Sequence, residues 1–137
     1  MTKRVYIAAP YRAKTEWELV KNIRRAEAAA INVWQSGWYA FAPHLNTAHF
    51  GGLCPDETWL AGDLEFLAVC DIIFMVQGWE NSKGATAELQ FAKEHNIPAV
   101  FDDGISSFKK LFEEFCIKEN NDCLSVAVQN MSKSMLP

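Results

Sequence analysis

Four short apolar runs, at residues 4–8, 38–42, 71–77 and 97–101, are each followed by a segment with helical periodicity. This alternation constrains the fold most, because strands separated by whole helices do not pair as tight hairpins. They join through right-handed crossovers into a parallel sheet with helices on both faces. The first run, Arg4-Val-Tyr-Ile-Ala8, stops before Pro10, and Trp17, Val20, Ile23, Ala26, Ala30 and Val33 then mark one helical face over 15–35, closed by Ser36-Gly37. The second run stops at Pro43. A long loop follows, leading to a helix expected over 56–69 with Asp56, after Pro55, as its N-cap. The third run is the most apolar, and helices are expected over 84–95 and 106–118. The expected fold is a Rossmann-like (flavodoxin-like) three-layer α/β domain with a four- to five-stranded parallel sheet, residues 123–128 being the optional fifth strand.

With 137 residues, half of them apolar, the chain has the size of one domain, and residues 1–137 are read as such. The net charge of −4 and the scatter of acidic residues leave no basic stripe for a polyanion, so polymeric nucleic acid is not an expected partner. No apolar run is long enough for a bilayer, so no membrane partner is expected either. Cys54, Cys70, Cys116 and Cys123 lack CxxC spacing, and the N-terminus has no charged-then-apolar leader, which together suit reduced thiols in a cytoplasmic protein. His44, His49 and Cys54 lack metal-ligand spacing, so no metal or cofactor is expected. The nine phenylalanines and four methionines read as core, and Trp38 and Trp59 as core or interface.

In parallel sheets of this kind ligands sit beyond the carboxyl ends of the strands, where strand order reverses, which selects the loops 9–15, 43–55, 78–84 and 102–105. The third loop opens a helix through Asn81-Ser-Lys-Gly-Ala-Thr-Ala-Glu88. A glutamate near a helix start is favoured by the macrodipole alone. Glu88 is not a capping-box residue, however, because with Ser82 as N-cap that position is Ala85. Its spacing aligns it with Ala85, Phe91 and Ala92, so a carboxylate faces a groove of small and apolar residues. Ser82, a tight backbone at Gly84 and the unpaired N–H groups of the first turn make a candidate anion site. Trp79 lies in the same loop, His44 follows the second strand, and Asp63 sits on the helix before the third.

Taken together, Val5-Tyr6-Ile7 with Arg12, Asp63-Leu-Glu-Phe-Leu ending at Asp71, and Ser-x-Gly-x-x-x-Glu from Ser82 to Glu88 resemble the nucleoside 2-deoxyribosyltransferase family. The likeness covers residues 4–101 and is closer to the 2′-deoxynucleoside 5′-monophosphate N-glycosidases and their short phage and bacterial relatives. It implies Glu88 as nucleophile toward the anomeric carbon, Asp63 as the second carboxyl, and Tyr6 as the group orienting Glu88. Transferases acting on free nucleosides resemble this pattern but carry an aspartate at the position of Ser82. A serine there, with Arg12 opposite, suits a 5′-phosphate. His44 and Trp79 are expected to touch base or sugar. Pro10, Tyr11, the long 43–55 loop and Trp79-Glu80 depart from the family pattern.

The expected activity is N-glycosidic cleavage of (deoxy)nucleoside 5′-monophosphates. The alternatives are deoxyribosyl transfer between bases, a nucleotide-sensing module without turnover, or a plain interaction domain. The resemblance also implies a homodimer or higher homo-oligomer in which a neighbour's C-terminal residues close the site. The tail, 119–137, departs too far from that pattern for any residue to be assigned.

Overall fold

The computed structural model describes residues 3–119. Four parallel strands, β1 (Arg4–Ala8), β2 (Tyr39–Phe41), β3 (Ile72–Met75) and β4 (Ala99–Phe101), form one sheet in the order β2-β1-β3-β4. The helices are α1 (Glu16–Gln35), α2 (Pro43–Asn46), α3 (Asp56–Ala68), α4 (Lys83–Glu94) and α5 (Phe108–Glu119). This is the expected flavodoxin-like arrangement with four strands. The fifth strand expected at 123–128 lies outside the described residues.

The period-two pattern of the strands divides the core between two faces. Val5, Ile7, Ile72, Phe74 and Val76 pack under α1 and α5 with Ala26, Ala30, Val33, Phe108 and Phe112. Tyr6, Ala8, Ile73 and Met75 face α3 and α4 with Leu67, Ala85, Leu89 and Ala92. Phe74 is fully buried, so truncating it to alanine is expected to cost about 3–5 kcal/mol.

Several local expectations are corrected. Trp17 is 67% exposed, and the buried stripe of α1 begins only at Ile23. A twenty-residue helix spans about 30 Å against about 17 Å for a five-residue strand, so its first turns overhang the sheet. Thr15 caps α1 by accepting from the Glu18 N–H. The segment expected to be loop after β2 starts with α2, Pro43 occupying the N1/N2 region where its missing N–H costs nothing. Pro55, not Asp56, holds the N-cap position of α3, and no side chain caps that end. Asp56 instead pairs with Arg12. Phe50, Phe66 and Phe101 are exposed rather than core. Among the described residues no helix is long and apolar enough to cross a membrane.

Candidate active site

Strand order reverses between β1 and β3, and the sequence-selected side chains gather there on the α3/α4 face. Tyr6 lies in β1 with Ile73 of β3 and Phe41 of β2 as its register partners. Its ring is fully buried and its hydroxyl donates to Glu88 Oε2 from α4. Glu88 reaches inward because Ala85 and Ala92, one turn to either side, are buried and small. Asp63 on α3 is half-buried and near enough for its charge to act on both groups.

The electrostatics follow from withdrawal of these groups from water. Burial raises Glu88 to about 8; the Tyr6 hydrogen bond opposes that rise and the Asp63 charge adds to it. Burial also raises Asp63 to about 6. Tyr6 is raised by burial and then by the charges of Glu88 and Asp63, so it remains a neutral O–H donor. Two neighbouring carboxyl groups raised to these different values hold one proton between them around neutral pH; with no substrate bound it rests on Glu88, and attack by Glu88 requires that it pass to Asp63.

The loop after β3 positions α4. Gly78 has φ +90, a backbone conformation that favours glycine, whereas a Cβ there would press only on the movable end of Arg25, 3.2 Å away at Nη2. Arg25 donates to the Gln77 carbonyl at 2.5 Å, tying the loop to α1. A single 3-10 turn, Trp79–Asn81, leads to Ser82, the N-cap of α4, whose hydroxyl accepts from the Ala85 N–H at 3.1 Å. Helix geometry leaves the Lys83 and Gly84 N–H groups without intrahelical acceptors. The tight backbone expected at Gly84 is found at Gly78 instead. Gly84 is an ordinary helical residue, and a Cβ there would meet only Ser82 Oγ, at 3.9 Å, so its role is open space.

Three further candidate side chains have partners within the protein. Arg12 forms an exposed ion pair with Asp56, at the start of α3. His44 is buried, with Nε2 donating to the Pro10 carbonyl at 3.0 Å and its ring edge-on to Tyr11, and burial lowers its pKa. It therefore fastens the loop after β1 to α2. Trp79 is half-buried against the Tyr6 face of the core, 5.6 Å from the Phe101 ring.

Arg25 and Gly78 carry no signal in the sequence, since their roles arise only from a long-range contact, and Phe41 and Phe66, which read as core, stack on each other. Trp59, one turn before Asp63, has a buried indole N–H without an acceptor among the described residues. A separate cleft of about 280 Å³ lies on the α1 side of the sheet, lined by Arg25, Asn32, Gln77, Asp102 and Ser106. It lies on the opposite face of the sheet from Tyr6 and the carboxyl pair. Among the described residues no group of three His, Cys, Asp or Glu side chains is arranged for a metal ion.

Fold and site together define a doubly wound α/β domain with a buried tyrosine–carboxylate pair at its switch point. The chain belongs to the family described as a domain of unknown function, DUF7768, whose profile matches residues 3–102. Among solved structures it is similar to a 2-deoxyribosyltransferase from the psychrotolerant bacterium Bacillus psychrosaccharolyticus, characterised as a biocatalyst for nucleoside synthesis. Identity is 22%, the TM-score is 0.53, and the match covers 72% of this chain and 70% of that one. The chain thus has a nucleoside deoxyribosyltransferase-like fold. No curated protein matches it.

Proposed function

We propose that the protein is an N-glycosidase that cleaves (deoxy)nucleoside 5′-monophosphates through a covalent glycosyl-glutamate intermediate. The observation that carries this reading is the hydrogen bond from buried Tyr6 to Glu88, with Asp63 beside them. A carboxylate held by a phenol and flanked by a second carboxyl suits the retaining-glycosidase scheme, in which the two groups stand about 5 Å apart.

Once the proton shared by the pair has passed from Glu88 to Asp63, ionised Glu88, held by the Tyr6 hydroxyl, attacks the anomeric carbon as the C–N bond breaks. The bond's electron pair leaves with the base nitrogen, which takes the proton of Asp63. In the second step Asp63, now ionised, removes a proton from water. The resulting oxygen attacks the same carbon, breaking the ester and freeing the Glu88 carboxylate and the sugar phosphate. One proton leaves Asp63 and one returns, so the net reaction adds water. If a second base replaces water, the same site performs deoxyribosyl transfer.

The 5′-phosphate is assigned to the start of α4, where Lys83 and Gly84 present N–H groups and Gly84 leaves open space. Arg12 joins it by exchanging Asp56 for phosphate, a small cost because exposed ion pairs contribute only about 0–1 kcal/mol. A homodimer or larger assembly and a cytoplasmic setting complete the proposal. Incubating the protein with a panel of nucleoside monophosphates and separating free bases by chromatography tests it. Base release from at least one nucleotide is expected; none from any nucleotide or nucleoside contradicts it.

A further inference from the structure

The two ends of the Tyr6–Glu88 pair differ in chemistry. Toward the start of α4 lie Ser82 and the N–H groups of the first turn, whereas toward α3 and β2 stand the stacked rings of Phe41 and Phe66. Phe41 is the register partner of Tyr6, so both side chains rise from the same face, with their rings 5.9 Å apart. Phe41 stacks on Phe66 at 4.5 Å and 20°. Phe66 follows Asp63 by three residues, which places the two on neighbouring positions of one α3 face. Although stacked on Phe41, Phe66 keeps 47% of its surface exposed.

We infer that Phe41 and Phe66 form the platform on which the leaving base stacks, a deepening that rests on the glycosidase reading. With the phosphate at α4 and the anomeric carbon at Glu88, the base must lie toward Asp63, its proton donor, and hence against this pair. Phenyl rings recognise the π-face of a base and not its edge. The wall therefore selects for an aromatic leaving group while tolerating several bases, and purines, with the larger face, gain most from it.

The test uses Glu88→Gln protein, which cannot turn over, and calorimetric titration with two ligands, a purine deoxynucleoside monophosphate and the baseless deoxyribose 5-phosphate. Adding Phe66→Leu or Phe41→Leu is expected to weaken nucleotide binding about tenfold. Binding of deoxyribose 5-phosphate and the sedimentation coefficient should stay unchanged, and Phe66→Tyr should retain nucleotide affinity. Nucleotide binding indifferent to both leucine variants overturns the platform alone, as does a parallel loss for both ligands or a changed assembly. Failure of the Glu88→Gln protein to bind either ligand overturns the glycosidase reading and the platform together.

Discussion

The Tyr6 hydroxyl donates to Glu88 Oε2 across 82 residues of sequence, joining the first strand to the fourth helix beneath the carboxyl edge of the sheet. A neutral donor on one carboxylate oxygen favours the ionised form of Glu88 against a burial term that disfavours it. Tyr6→Phe is expected to raise the Glu88 pKa further and to lower kcat about ten- to a hundredfold, with little change in fold. A pH–rate profile whose alkaline limb moves upward checks this.

The wild-type profile should be a bell. Below about 6 both carboxyls are protonated and no nucleophile is present; above about 8 both are ionised and no acid is present. Between these limits the pair holds one proton, and the two limbs report the pair rather than either residue. A flat rate between about pH 5 and about pH 9 contradicts the assignment.

Stability should run the opposite way to ordinary carboxylate pairs. Glu88 and Asp63 have folded-state pKa values above their unfolded values of 4.5 and 3.8. The folded state therefore binds more protons, and stability falls as pH rises through about 6 and about 8. Glu88→Gln removes the larger of these terms. Its melting temperature should match wild type near about pH 4, below the unfolded value, and exceed it near about pH 9, both measured by thermal scans. Equal melting at both pH values contradicts burial of the charge.

The phosphate assignment predicts that a nucleoside monophosphate outcompetes its nucleoside by about tenfold or more. Arg12→Ala should raise KM for the nucleotide and barely move it for the nucleoside. Equal use of both substrates by the wild-type protein points to transfer on free nucleosides instead.

Much of this was legible in the sequence because it rests on periodicity. The strands and the long helices follow from apolar runs and helical spacing, and Glu88 stands out by its place at the strand–loop–helix junction, whereas Asp63 and Tyr6 are singled out only by the family resemblance. What was not legible depends on contacts between distant segments. His44, expected at base or sugar, is seen to hold the Pro10 carbonyl only when the two loops are placed side by side, and the ion pair of Arg12 emerges only where α3 starts at Asp56. Gly84 and Gly78 look alike in sequence, and only backbone φ separates a helical glycine from one that must be glycine. Phe66 reads as core because α3 is apolar on several sides, yet the helix turns that ring toward β2 and solvent.

The proposed assembly rests on apolar surface that a monomer would leave wet. Ile31 and Trp34, three residues apart on α1, are 49% and 55% exposed, and Trp34 packs against the exposed Tyr39 of the edge strand β2. Such a patch is expected to be covered in a C2 pair. Sedimentation should give a dimer or larger, and deletion from residue 119 onward should remove activity while the sheet stays folded. A fully active monomer of 15.5 kDa contradicts both.

The central claim is that Glu88 becomes esterified. Acid-quenching the wild-type protein during turnover of a nucleoside monophosphate, followed by peptide mapping by mass spectrometry, examines that bond directly. The account predicts a sugar-phosphate adduct on the peptide containing Glu88, absent from Glu88→Gln protein, which should also lose base release by about a thousandfold or more. Base release at near wild-type rate by Glu88→Gln, or an adduct on a different residue, would contradict it.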